Sequence, residues 1–127
     1  MNIQLSQKII EILSQLGVVD FCLCAGARNS PLVVVLEKAQ GVQLYTFFEE
    51  RSAGFFAFGR SSSQSRPVAV ITTSGTAVAE LLPSVIESYY SGVPIILVTA
   101  DRPKRFRGSG APGAIELEVP KSFLDFF

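Results

Sequence analysis

RPVAVITTSGTAVAELLPSVIESYYSGVPIILVTADRP, residues 66–103, carries the pattern that sets the fold class. Pro67 to Thr72 is a short, mostly apolar run of the kind that forms a strand buried on both faces. Thr73-Ser74-Gly75-Thr76 turns the chain. Ala77 to Tyr90 reads as a helix with Gly92 just beyond its end, and Pro83 inside it predicts a kink or a late start. Pro94 to Ala100 is a second short apolar strand. Strand, tight turn, helix and strand in succession make a βαβ unit, the building block of a parallel sheet.

The same alternation extends toward the N-terminus. Asn2 to Leu16 predicts a first helix, with Ile9, Ile12, Leu13 and Leu16 on one face and Gly17 as its stop. Val18 to Ala25 reads as a buried strand that Gly26 breaks. Asn29 or Ser30 can cap a second helix, with Pro31 at its first position and an end near Lys38 or Ala39. Val42 to Phe48 reads as a strand, Ser52 to Gly59 as a helix of small and aromatic residues, and Ser61 to Ser65 (SSSQS) as a polar surface loop. The whole is an α/β protein with an open, mostly parallel sheet and helices on both faces.

Composition narrows the function classes. Of 127 residues, 48% are hydrophobic and 17% charged, the balance of a folded domain rather than a disordered chain. Lys+Arg and Asp+Glu are both 11, so the chain lacks the basic excess of a general nucleic-acid binder. With no histidine, it builds no Ser-His-Asp triad, Cys-His pair or histidine zinc site by itself. Its two cysteines, Cys22 and Cys24, sit one residue apart in an apolar run. They read as buried thiols suited to a reducing cytoplasm. No apolar run is long enough to span a bilayer, and the first residues read as an amphipathic helix, not a signal peptide. Metal ligands are not expected in this chain.

In an open parallel sheet, ligands bind beyond the carboxyl ends of the strands. There the sequence gathers Gly26-Ala27-Arg28-Asn29-Ser30, Glu49-Glu50-Arg51, Thr73-Ser74-Gly75-Thr76 and Asp101-Arg102-Pro103. Arg28 and Arg102 offer forked donors for carboxylates. Thr73, Ser74 and Thr76 offer hydroxyls and backbone amides near a helix N-terminus. Glu50 falls between Tyr45, Phe47 and Phe48 on one side and Phe55, Phe56 and Phe58 on the other, where a carboxylate loses water; the plainer reading is that it pairs with Arg51 or caps the helix. Gly108-Ser109-Gly110-Ala111-Pro112-Gly113 spells GxGxxG, yet it does not join a strand to a helix and Pro112 interrupts it. Thr73-Ser74-Gly75-Thr76 lacks the Gly-Lys of a Walker A loop. Lys104, Arg105 and Arg107 form a small basic cluster, solvated or facing a carboxylate.

GARNSPL (Gly26 to Leu32), FEERSAGFFAFG (Phe48 to Gly59), residues 66–103 and GSGAPGAIE (Gly108 to Glu116), in that order, resemble the N-terminal pyrimidine-binding domain of the MenD family of thiamine-diphosphate enzymes. The resemblance implies that Glu50 is the catalytic glutamate, hydrogen-bonded to N1′ of the cofactor's pyrimidine so that the thiazolium carbon can lose its proton. It implies that Thr73, Ser74, Gly75 and Thr76 line the cofactor's pyrimidine side. It implies substrate contacts for Arg28, Asn29, Ser30 and Arg102, the substrates being 2-oxoglutarate and isochorismate. Mg²⁺ and the diphosphate are held in that family by a further domain, which in a homo-oligomer comes from a partner subunit.

The sequence departs from the family at Ala27, where a serine is usual, and at Gly113, where a glutamine is usual. The resemblance covers residues 1–116 as a partial pyrimidine-binding domain and stops before a divergent tail, residues 117–127. The expectation is that the chain alone has no synthase activity and binds thiamine diphosphate weakly or not at all. Two alternatives stay open at this point. One is another thiamine-diphosphate decarboxylase or carboligase of the acetolactate-synthase kind, and the other is a non-catalytic module that pairs with a separate chain.

Overall fold

The computed structural model describes residues 2–101, 103–106 and 109. Arg102, the GxGxxG stretch apart from Ser109, Gly113 and the tail expected over 117–127 lie outside the described residues. The chain alternates helix and strand: α1 (Ile3–Gln15), β1 (Asp20–Cys24), α2 (Ser30–Lys38), β2 (Gln43–Phe47), α3 (Glu50–Gln64), β3 (Val68–Thr72), α4 (Thr76–Glu80), α5 (Leu82–Ser91) and β4 (Ile95–Thr99), followed by a 3-10 turn over Lys104–Phe106. The four strands form one parallel sheet in the order β2-β1-β3-β4.

The central strands β1 and β3 are buried along their whole length. Their alternating side chains feed two cores. Phe21, Leu23, Ala69 and Ile71 pack with Ile10 and Leu13 of α1 and Leu32 and Leu36 of α2. Cys22, Cys24, Val68 and Val70 pack with Ala53 and Ala57 of α3, Leu81 and Val85. Both faces are covered, as an all-parallel sheet requires.

Three local expectations are corrected. SSSQS is no loop: α3 runs on to Gln64 and ends at Ser65 in the left-handed region (φ 53°). Nothing in Ser61–Gln64 breaks a helix, and Ser61 is buried with its hydroxyl donating to the Pro94 carbonyl at 2.7 Å. The buried stripe of α1 is Ser6, Ile10 and Leu13, whereas Ile12 and Leu16 are exposed. The helix is apolar on two adjacent stripes, and contact with α2 and the sheet selects one of them. Asn29 occupies the N-cap position of α2 without capping it, for reasons given below. The expected kink at Pro83 is present as the break between α4 and α5, with Pro83 in the first turn of α5.

At the amino ends of the strands, Asp20 is fully buried. Arg66 Nη2 donates to its Oδ2 at 2.9 Å and Arg60 Nε lies 3.4 Å from the same oxygen. The Arg60 guanidinium also sits 5.7 Å from the centre of the Tyr45 ring. This triad ties β1 to α3 and to the start of β3 at the end of the sheet remote from the polar turns.

Candidate functional site

The order β2-β1-β3-β4 places a topological switch point between β1 and β3: the chain leaves β1 toward β2 and returns to β3 on the other side. The crevice outside the carboxyl ends of such a pair is where open α/β sheets bind ligands. The turns after β1 and β3 meet there. A Cβ on Gly26 would lie 2.6 Å from Thr73 Cβ and 2.9 Å from its hydroxyl, so only glycine lets the two turns touch. Gly26→Ala is therefore expected to cost about 1–3 kcal/mol, read by denaturant unfolding. Adding Thr73→Gly, which removes the obstructing side chain, should recover much of that loss.

Asn29 explains the shape of the first turn. Its side chain is fully buried; Oδ1 accepts from the Gly26 amide at 2.7 Å and Nδ2 donates to the Cys24 carbonyl at 2.9 Å. Both ends of the amide are spent on the loop's own backbone, so Asn29 orders the loop. Ser30 is exposed at the start of α2, its hydroxyl donating to the Ala27 carbonyl at 3.0 Å. Arg28 is half-buried on the same turn.

In the third turn, Gly75 has φ +81° and ψ −138°, a conformation that L side chains rarely adopt. It allows the chain to swing from β3 into α4. Ser74 is buried, Thr73 half-buried and Thr76 exposed. The Thr72 carbonyl accepts from the Ala100 amide at 3.1 Å, which fixes the end of β4 beside this turn.

The second turn separates its two acids. Glu49 is the N-cap of α3: it accepts from the amides of Arg51 (3.1 Å) and Ser52 (2.7 Å) and from the Ser52 hydroxyl (2.6 Å). Its Oε1 also lies 3.7 Å from Arg51 Nε. The Ser52 hydroxyl and amide hold the Glu49 carboxyl below the usual carboxylate range. Glu50, one residue on, is half-buried in the first turn of α3, and no described residue donates a hydrogen bond to it or forms an ion pair with it. Capping and pairing with Arg51, the plainer roles weighed for Glu50, belong to Glu49. Two adjacent acids at a helix start can each supply the cap, so spacing alone does not show this division.

Beside Glu50, Phe56 packs on Tyr45 (centroids 4.8 Å apart) and Phe47 (5.2 Å). Phe48 instead projects wholly into solvent, a position that periodicity did not single out. With Leu23, Ala25, Thr46 and Phe47 it lines a recess of about 230 Å³ at the ends of β1 and β2. That is below the ~300–1,000 Å³ of pockets that enclose a drug-sized ligand, so the recess alone would not enclose one. Among the described residues no cluster of acids or thiols has the makings of a metal centre. The chemistry on offer is a carboxylate with no partner among the described residues, an apolar shelf and a turn rich in hydroxyls. Those features fit the ring end of an aromatic cofactor.

Cys22 and Cys24 are buried and free, on the α3 side of β1. Burial, with Asp20 as a further cause, pushes the Cys22 thiol up to about 12. Burial, then the charges of Glu50 and Glu49, push Cys24 up to about 11. Both thiols should therefore stay unmodified by a thiol reagent at pH 8 until denaturant is added, which mass spectrometry reads directly. Because folding raises these values, the contribution to stability is complete below the unfolded thiol value of ~8.5 and fades as pH rises toward the folded ones.

The model of the thiamine pyrophosphate enzyme, N-terminal TPP binding domain, matches residues 3–119. The chain belongs to this family. Its similarity extends to proteins named 2-succinyl-5-enolpyruvyl-6-hydroxy-3-cyclohexene-1-carboxylate synthase. The one from Bdellovibrio bacteriovorus is 62% identical over 115 residues, 91% of this chain and 22% of the relative. Those from Akkermansia muciniphila and Geobacillus kaustophilus are 55% and 44% identical over 79% and 85% of this chain, each match covering 19% of the relative. The chain thus spans about a fifth of the length of the curated relatives it matches. No helix among the described residues is long and apolar enough to cross a membrane.

Proposed function

We propose that this chain is the pyrimidine-side part of a thiamine-diphosphate-dependent transferase of the MenD kind, which decarboxylates 2-oxoglutarate and adds the succinyl unit to isochorismate in menaquinone biosynthesis. The observation that carries the reading is Glu50, a half-buried carboxylate with no partner among the described residues, at the switch-point rim of a thiamine pyrophosphate domain. Thiamine diphosphate, when bound, supplies the electron sink for decarboxylation. Glu50 holds a proton shared with the pyrimidine N1′, and the apolar shelf beside it excludes water, which strengthens that bond. Thr73, Ser74, Gly75 and Thr76 meet the same ring from the β3 side. Arg28, Ser30 and Arg102 bind substrate carboxylates, and Asn29 acts on the substrate through the loop it orders.

Mg²⁺ and the diphosphate belong to a second domain, contributed by a partner subunit of a homo-oligomer. The reading assigns the protein to the cytoplasm, where two buried thiols stay reduced. It follows that the 127-residue chain alone is inactive. The test is a chimaera in which the residues matched here replace their counterparts in the Bdellovibrio relative. Thiamine-dependent release of CO₂ from 2-oxoglutarate supports the reading, and release from pyruvate instead contradicts it. In that chimaera Arg102→Ala should raise KM for the dicarboxylate more than it weakens cofactor binding.

A further inference from the structure

Glu50 is carried to the rim by α3, and α3 is seated by a close contact with α5. The buried residues of α3 are Ala53, Gly54, Ala57 and Ser61, none larger than serine. Opposite them α5 presents Ser84, fully buried. A Cβ on Gly54 would lie 2.2 Å from Ser84 Oγ, 2.9 Å from Ser84 Cβ and 3.4 Å from Leu81 Cδ2. Glycine inside a helix weakens it, and here the approach of α5 accounts for it. Gly59, on the same helix, has no such neighbour: a Cβ there would meet nothing within 4 Å.

The obstruction is rigid. Ser84 Oγ donates to the Leu81 carbonyl at 2.8 Å, so the hydroxyl is tied to the chain just before it. Its Cβ moves only with the backbone of α5. Leu81, at the break between α4 and α5, is fully buried in the core that also holds Ala53 and Cys24. A methyl group at residue 54 therefore drives the two helices apart, by roughly 1 Å to restore van der Waals separation, rather than turning a side chain aside.

The two helices carry opposite sides of the proposed ring site. Glu50 stands one turn before Gly54 on α3, and the Thr73–Thr76 turn leads through α4 into α5. We infer that Gly54 and Ser84 are positioning residues: their contact fixes the distance between Glu50 and the Thr73-Ser74-Gly75-Thr76 turn, so that one ring meets both. The inference rests on the proposed role of Glu50 and names what holds that carboxylate in place. A misplacement of about 1 Å at a reacting group can cost about 100-fold in rate.

Cys24 provides a readout apart from activity. It is buried at the carboxyl end of β1, in one core with Ala53, and close enough to Glu50 to feel its charge. Separating α3 from α5 loosens the start of α3 over this thiol.

The chimaera tests the inference, with labelling of Cys24 by a thiol reagent at pH 8 followed by mass spectrometry beside the rate of CO₂ release. Gly54→Ala is expected to lower kcat about 10–100-fold, with KM for 2-oxoglutarate changed less than about threefold. It should speed labelling of Cys24 at least about 10-fold. Combining it with Ser84→Gly, which removes both obstructing Ser84 atoms, should bring each readout within about threefold of Ser84→Gly alone. Gly59→Ala, the same change on the same helix but in open space, should move neither. A Gly54→Ala chimaera that keeps its kcat, or keeps Cys24 protected, overturns the inference. So does a double variant that recovers neither readout. Where Gly54→Ala is too unfolded to assay, the double variant decides: recovered rate and protection support the inference, and a slow or unfolded double variant overturns it. The two readings fail separately. Glu50→Gln with its rate intact removes the role of Glu50, whereas Gly54→Ala with Cys24 exposed and its rate intact removes only the positioning role.

Discussion

Glu50→Gln in the chimaera is expected to keep the fold and lose at least about 100-fold in the rate of CO₂ release, the scale of a lost acid–base partner. Glutamine matches glutamate in size and the position is only half-buried, so the packing of α3 is undisturbed. Helix capping is also undisturbed, because Glu49 supplies it. The amide offers the ring nitrogen a neutral group in place of one that can take and return a proton. Glu49→Gln is the informative companion: it should lower the thermal midpoint, through the cap, with a much smaller effect on rate. Since folding depresses the Glu49 value, its contribution is present above the unfolded carboxylate range and is lost as pH falls through the folded value. A Glu50→Gln enzyme within about threefold of wild type would remove Glu50 from the chemistry.

The largest stability effect is expected far from the site. Replacing Arg60 and Arg66 together by methionine leaves the Asp20 carboxylate fully buried with neither counter-ion, at a cost of about 3–5 kcal/mol. That is a large share of the ~5–15 kcal/mol that holds a domain together. Removing either arginine alone should cost much less, because the other stays within reach of Oδ2. Adding Asp20→Asn to the double variant should restore most of the loss, since it removes the stranded charge. Equilibrium unfolding in urea measures all of these. A double variant as stable as the wild type would show that the triad contributes nothing to the fold.

The parallel sheet was legible because β1 and β3 are apolar on both faces, a pattern that only a sheet covered on both sides demands. The edges of the elements were less so. SSSQS reads as a loop by composition, yet a helix already anchored by Ala53 and Ala57 continues through it, and the Ser61 hydroxyl finds the Pro94 carbonyl. In α1 the sequence offers two adjacent apolar stripes, and only packing chooses between them. The site residues gather by strand order: Gly26 and Thr73 are far apart in sequence and touch because β1 and β3 are neighbours. The division of labour between Glu49 and Glu50 depends on where the first turn of α3 begins, which spacing alone leaves one or two residues uncertain. The resemblance, not the residue's polarity, implied a substrate contact for Asn29; its burial and its two backbone hydrogen bonds, which tie the loop, carry no local sequence signal. The Asp20 triad joins residues distant in sequence and carries no local signal at all.

The central claim is that this chain forms the ring-binding wall of a thiamine-diphosphate site and needs the rest of the polypeptide to close it. Calorimetric titration of thiamine diphosphate with Mg²⁺ into the 127-residue chain and into the chimaera tests it most directly. The account predicts saturable binding by the chimaera and no measurable heat from the chain alone at millimolar cofactor. Tight binding by the chain alone, or none by a folded chimaera, would contradict it.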